Sequence, residues 1–100
     1  MEKKSGTSAR RALRVLKALK GHSLHGLSNT ELAQGLDETP VNICRALEPL
    51  VAEGLVTRLE NGRYAHSVAM LQVAQAHANE MATAQDRLME INRRVAAGAM

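Results

Sequence analysis

Apolar residues recur at helical spacing along most of this chain, and a single short stretch breaks that pattern for strand-like runs. From Ser8 to Lys20, Ala12, Leu13, Leu16 and Leu19 share one helical face, with Ser8 placed to cap the helix start and Gly21 to end it. After a loop to Gly26, Ser28 and Glu31 form a capping box, in which hydroxyl and carboxylate each satisfy a backbone N–H of the first turn. Leu27 stands where a hydrophobic staple reaches toward that turn. Leu32, Ala33 and Leu36 then give a two-turn helix its buried stripe, although Gly35 lowers its intrinsic preference. Asp37, Glu38 and Thr39 make the turn into a third helix, with Thr39 as N-cap and Pro40 at the first helical position. Ile43, Ala46, Leu47, Leu50 and Val51 are its predicted buried face, and Gly54 its left-handed terminator. Pro49 removes the bond to the Arg45 carbonyl and predicts a kink.

The helical period then gives way to two short runs, Leu55 to Glu60 and Arg63 to Ser67. Asn61-Gly62 between them is a two-residue hairpin signal. So small a hairpin is marginal in water and must lean on the helices. From Val68 to about Ala97 the helical period returns. Leu71, Ala74, Ala78, Met81, Leu88 and Val95 keep heptad spacing, with Gln85 and Asn92 on the same seam and Met70, Ala84 and Ile91 widening it. About 28 helical residues span roughly 42 Å, more than one small domain covers, so the outer half calls for a partner, most simply a second copy.

The order is helix, capped short helix, tight turn, longer helix, hairpin, long helix. It predicts a mainly α protein: a winged helix-turn-helix of three helices and a two-stranded wing over residues 8–67. A basic disordered arm is expected over 1–7 and a dimerising helix over 68–100. Composition agrees with helices, since Leu, Ala, Val and Met carry the apolar mass and Tyr64 is the only aromatic. It also counts against modules that stack bases on aromatic platforms. Charge is unevenly placed. Residues 1–20 hold Lys3, Lys4, Arg10, Arg11, Arg14, Lys17 and Lys20 against Glu2 alone, whereas residues 21–60 are net acidic. A basic block suits a phosphate backbone or an acidic partner. The lone Cys44 forms no internal disulfide, and neither a signal-peptide h-region nor a membrane-spanning run is read, so a soluble cytoplasmic protein is expected.

Residues Arg11 to Ser67 resemble the N-terminal winged-helix domain of the IclR family of bacterial transcription regulators. The resemblance rests on Arg11-Ala12-Leu13-Arg14-Val15-Leu16, on Glu31-Leu32-Ala33, and on Val41-Asn42-Ile43-Cys44-Arg45 with Leu47. It continues through Leu50-Val51-Ala52-Glu53-Gly54-Leu55-Val56 and Gly62-Arg63-Tyr64. It implies double-stranded DNA as the partner. Full-length members also carry an effector-binding domain, for which this chain shows no counterpart, so ligand sensing is not carried over and no small-molecule ligand is expected. Small hydroxylated residues usual early in the family's recognition helix are replaced by Pro40, Val41 and Asn42, so the target sequence is not inherited either. A winged helix ending in a dimerising helix fits a compact repressor or regulator of the kind carried by phages and mobile elements.

With the apolar face of the third helix inward, Thr39, Val41, Asn42 and Arg45 face out toward a major groove. Asn suits adenine edges, Arg suits guanine, and valine suits a thymine methyl. Arg58, Asn61 and Arg63 on the wing are candidates for phosphates or a minor groove, and Arg10, Arg11 and Arg14 for backbone contacts. The dimer candidates are Leu71, Ala74, Ala78, Met81, Leu88, Ile91 and Val95. Asp37, Glu38 and Glu48 lie near the recognition helix and oppose phosphate, although Asp37 and Glu38 also suit its positive end. His22 and His25, even with Cys44, fall short of the four ligands of a structural zinc, so no metal or other cofactor is expected. Cys44 reads as a small, partly buried residue, and no orienting group or phosphate-cradling loop makes it a nucleophile, so no enzyme is expected. The function expected is sequence-specific DNA binding by a homodimeric regulator. The alternative is a winged helix that serves as a protein-interaction module in a replication, transposition or regulatory complex.

Overall fold

The computed structural model describes residues 7–98. Its elements run α1 (Thr7–Ala18), α2 (Asn29–Leu36), α3 (Pro40–Ala52), β1 (Val56–Arg58), β2 (Tyr64–His66) and α4 (Val68–Gly98). Apart from Thr7, which opens α1, the expected basic arm lies outside the described residues. The described chain divides after Met70 into two compact units.

In the first unit, α1, α2 and α3 enclose one core. Val15, Leu19, Leu32, Ala33, Ile43, Ala46, Leu47, Leu50 and Val56 are buried, with Ala12, Leu16, Leu27, Leu36, Leu55 and Tyr64 packed around them. Burial of such aliphatic side chains supplies about 1.5–3 kcal/mol each before entropy is counted. Three sequence expectations are corrected here. The inward line of α1 runs through Val15 and Leu19, which turns Leu13 outward to 56% exposure. Val51 likewise lies at the edge of the α3 face and is 43% exposed. Ser8 does not cap α1, because the helix has already begun at Thr7.

The helix ends follow the local chemistry. Ser28 and Glu31 form both halves of the capping box, and Thr39 Oγ1 accepts a hydrogen bond from the Asn42 amide above Pro40. Gly54 has φ 77° and closes α3 with two reverse bonds, from its own amide to the Val51 carbonyl and from Leu55 to Leu50. That is a Schellman ending, with Leu55 folded back onto the core. The same pair of bonds ends α2, from Asp37 to Gln34 and from Glu38 to Ala33, with Asp37 at φ 57° where glycine is usual. A short polar side chain tolerates this conformation better than a branched one. The helix-turn-helix turn is therefore a left-handed helix ending run straight into an N-cap. Pro49 sits inside α3, which continues through it to Ala52.

The wing is smaller than its apolar runs suggest. Strands β1 and β2 pair antiparallel with Val56 opposite His66, Thr57 opposite Ala65 and Arg58 opposite Tyr64. Leu59 donates to the Arg63 carbonyl and Gly62 to the Leu59 carbonyl, leaving Glu60-Asn61-Gly62 as the loop. Among these only Gly62 has positive φ, at 85°. A two-residue turn on Asn61-Gly62 would need positive φ at both, so a three-residue turn with Gly62 in the left-handed position replaces it. Asn61 is instead held by its side chain, whose Oδ1 accepts from the Arg63 amide. Leu27 and Tyr64 exchange both backbone bonds, at 2.9 and 2.8 Å, which adds a third short edge to the wing. The sequence pattern marks Leu27 only as a staple for α2 and does not foretell this pairing.

Helix α4 begins where the Ser67 hydroxyl accepts from the Met70 amide. It runs for 31 residues without a buried side chain.

Candidate nucleic-acid interface

The ten residues singled out for DNA contact separate by what already holds them. Arg10, Val41 and Arg45 are exposed, and among the described residues their side chains make no hydrogen bond or ion pair. Val41 and Arg45 stand four residues apart on α3, one turn above the other, and Val41 is 58% exposed. Arg58 is exposed on the wing, its guanidinium over the Tyr64 ring at 6.0 Å from the centroid. Thr39 is exposed at the α3 start with its hydroxyl engaged as the cap.

Arg11, Arg14 and Asn42 converge on one carboxylate, that of Glu38. Asn42 Nδ2 donates to Glu38 Oε1 at 3.1 Å. Arg11 Nε lies 3.2 Å and Arg14 Nη1 3.6 Å from Oε2. The Arg11 Nε–H is out of line for a hydrogen bond, so the attraction there is that of an ion pair. Asn42, followed by the Arg11 side chain, holds the Glu38 carboxyl below the usual glutamate range. Arg14 also donates from Nη2 to the Leu36 carbonyl at 2.7 Å, capping the negative end of α2. Glu38, noted in the sequence as an obstacle to phosphate, is thus the meeting point of α1, the turn and α3.

Asn61 and Arg63 are bound into the base of the wing. Arg63 Nε donates to the carbonyls of His25 and Gly26 at 3.1 and 3.3 Å, and its Nη2 lies 2.5 Å from Glu31 Oε1. Asn61 Nδ2 donates to the His25 carbonyl at 3.3 Å. The Ser28 amide, then Arg63, lowers the Glu31 carboxyl from its ordinary value. These links fix the wing against the segment that enters α2. Sequence reasoning missed them because no local spacing announces a contact between residues more than thirty apart.

Cys44 is exposed, which corrects its reading as partly buried: it faces away from the Ile43–Leu47 side of α3. Its Sγ accepts from Asn29 Nδ2 at 3.1 Å, and the same amide reaches the Pro40 carbonyl at 3.3 Å, tying the start of α2 to α3. His66, at the end of β2, is half-buried with Nε2 2.7 Å from the Leu16 carbonyl. Among the described residues, no three His, Cys, Asp or Glu side chains gather as a metal would require. None of their helices is long and apolar enough to cross a membrane.

A short capped helix, a left-handed turn and a longer helix, followed by a pinned two-stranded wing, define a winged helix-turn-helix, in which the second helix of the motif enters a major groove. The IclR helix-turn-helix domain matches residues 8–60, from the first turn of α1 to the wing turn, and the chain belongs to that family of DNA-binding transcription regulators. The matched domain is a DNA-binding one rather than a catalytic one. Comparison with curated proteins and with solved structures gave no match.

Proposed function

We propose that this protein is a homodimeric, sequence-specific regulator of transcription that reads double-stranded DNA with α3. The observation that carries the reading is the outer face of α3, where Val41 and Arg45 stand exposed and unpartnered while Ile43, Ala46, Leu47 and Leu50 anchor the opposite face. Arg45 has the reach and fork geometry for a guanine edge, and Val41 offers a methyl surface to thymine. Arg58 on the wing and Arg10 on α1 would meet phosphates on either side, with Thr39 and Asn42 at the near end of α3 and Arg14 at its flank. Arg11, Asn61 and Arg63 serve the interface mainly by holding its parts in place.

The dimer reading is supported by how charge is distributed along α4. In the heptad that places Leu71 and Ala78 at a, with Ala74, Met81, Leu88 and Val95 at d, the six charged residues Glu80, Asp86, Arg87, Glu90, Arg93 and Arg94 all fall at b, c or f. Ile91 stands at g beside the seam. Glu90 pairs with Arg93 and with Arg94 on that outer face. Leaving a, d, e and g free of charge is what a helix covered by another helix requires. Occupancy of a promoter site by the dimer would block polymerase, which makes repression the simplest output.

The test is fluorescence anisotropy of the full chain on duplexes selected by it from a randomised pool, across a salt series. Saturable binding that resists competitor DNA, with log–log salt dependence of roughly 0.9 per phosphate contacted, is expected. Arg45→Ala should weaken binding about 5- to 150-fold, the range of a lost bidentate base contact worth ~1–3 kcal/mol. His25→Ala, whose side chain faces no partner among the described residues, should not weaken it. Flat anisotropy at low salt would mean that the winged helix serves another protein instead.

A further inference from the structure

Three groups from two helices meet at Glu38, and their chemistry bears on how strongly sequence, rather than charge, governs binding. Arg11 and Arg14 are cations on the helix that flanks the recognition helix, and Asn42 is the amide at its first turn. All three are directed to one carboxylate whose side chain is only 17% exposed. A carboxylate offers the same paired acceptor oxygens to an arginine as a phosphate does. An arginine already neutralised by it gains little from a phosphate, because the contact must first give up the carboxylate. Counterion release, the source of sequence-independent affinity, is reduced accordingly. The same carboxylate binds one N–H of the Asn42 amide. That fixes which way the amide is turned and leaves its Oδ1 and second N–H for the donor–acceptor pair of an adenine edge.

We infer that Glu38 is a specificity-determining positioning residue: an internal stand-in for phosphate that restrains Arg11 and Arg14 from indiscriminate backbone contact while orienting Asn42 for base reading. The inference rests on the DNA-binding function proposed above. It explains why an acidic residue stands at the edge of a surface meant for DNA. The carboxylate weakens binding to every sequence through repulsion, yet it costs the correct site less, because the oriented Asn42 makes a contact there that other sequences cannot reciprocate.

The test compares the full-length wild type with Glu38→Gln on two duplexes of equal length, one selected by the wild type from a randomised pool and one with that sequence scrambled. Anisotropy across a salt series and thermal melting are read for each. In Glu38→Gln the freed arginines should steepen the salt slope on the scrambled duplex by roughly 1–2. They should tighten binding to that duplex about 10-fold near 0.1 M salt, and the selected-to-scrambled affinity ratio should fall. Glu38→Asp keeps the charge but withdraws it from Asn42 by one methylene. It should retain the wild-type slope and lose part of the ratio, which also keeps the inference testable if Glu38→Gln does not fold. An unchanged slope and ratio in Glu38→Gln would overturn the inference, as would an equal loss on both duplexes with a lowered melting temperature, the mark of a purely structural residue. A ratio unchanged in Glu38→Asp would overturn the orienting role of Glu38. A wild type that binds neither duplex would overturn the DNA-binding reading itself.

Discussion

Arg63 Nη2 lies 2.5 Å from Glu31 Oε1, so the carboxylate that closes the cap of α2 also holds the wing. One side chain therefore serves a local purpose, the first turn of a helix, and a distant one, the angle of the hairpin. Removing Arg63 should leave the capping box intact and loosen the wing. In Arg63→Ala, amide hydrogen exchange at Leu27 and Tyr64, whose backbone bonds join the wing to the α2 entry, is expected to accelerate relative to the amides of α3. Arg58→Ala, at the exposed side of the same hairpin, should leave both amides protected. Equal acceleration in the two variants would show that the Glu31 link does not set the wing.

Gly26 has φ 72°, and a Cβ placed there would lie 2.6 Å from the Tyr64 carbonyl oxygen. Gly54 has a similar φ of 77° but open space around it. Gly54→Ala should cost only the left-handed penalty, about 1–2 kcal/mol. Gly26→Ala should cost distinctly more, because the backbone bond pair between Leu27 and Tyr64 must move as well. Chemical denaturation of the two variants measures the difference, and equal losses would mean that the wing gives way freely.

Pro49 stands in the interior of α3, one turn after Arg45, whose carbonyl it leaves without the usual helical donor. The residue is exposed, so alanine there removes no core packing. Pro49→Ala should restore the missing bond and stabilise the domain by about 1 kcal/mol or more, part of the ~3 kcal/mol helix-interior cost of proline being offset by a freer unfolded chain. For a domain of this size, each kcal/mol is about 4–8 °C in melting temperature. A lowered melting temperature would show instead that the helix is shaped around the proline.

Glu31 and Glu38 both titrate below the usual glutamate range, the first through the Ser28 amide and Arg63, the second through Asn42 and Arg11. A carboxyl whose folded pKa lies below its unfolded value contributes stability that is complete above the unfolded value. That stability disappears as pH falls through the folded one. Melting temperature should therefore hold steady near neutrality and decline on acidification below the ordinary glutamate range. The double variant Glu31→Gln/Glu38→Gln should be less stable at neutral pH and decline less steeply in acid. Parallel pH curves for the two proteins would rule these carboxylates out as the source of acid lability.

The elements of the first unit were largely legible because their signals act over three or four residues. Ser28 with Glu31, Thr39 with Pro40 and the left-handed Gly54 each meet their partners within one turn, so spacing alone locates the helix ends. The candidate site was legible only as a set of exposed polar types. Spacing placed Val41 and Arg45 on the outer face of α3 but could not tell them from Asn42, which is tied to Glu38. The wing loop departs from the two-residue turn for a related reason. Asn61-Gly62 fits two turn geometries, and the side-chain bonds of Asn61 to the Arg63 amide and the His25 carbonyl accompany the three-residue form.

By itself, then, the sequence determined the order of helices and hairpin, the caps of α2 and α3 and most of the apolar positions that the core buries, since these depend on backbone groups satisfied close by and on a period repeated every few residues. Only the tertiary structure decided which arginines are free. Arg14 reaches Leu36 across 22 residues, Arg63 reaches Glu31 across 32 and His66 reaches Leu16 across 50. Such contacts follow from how the helices pack, and a charged side chain looks the same in the sequence whether it meets solvent, a carboxylate or DNA.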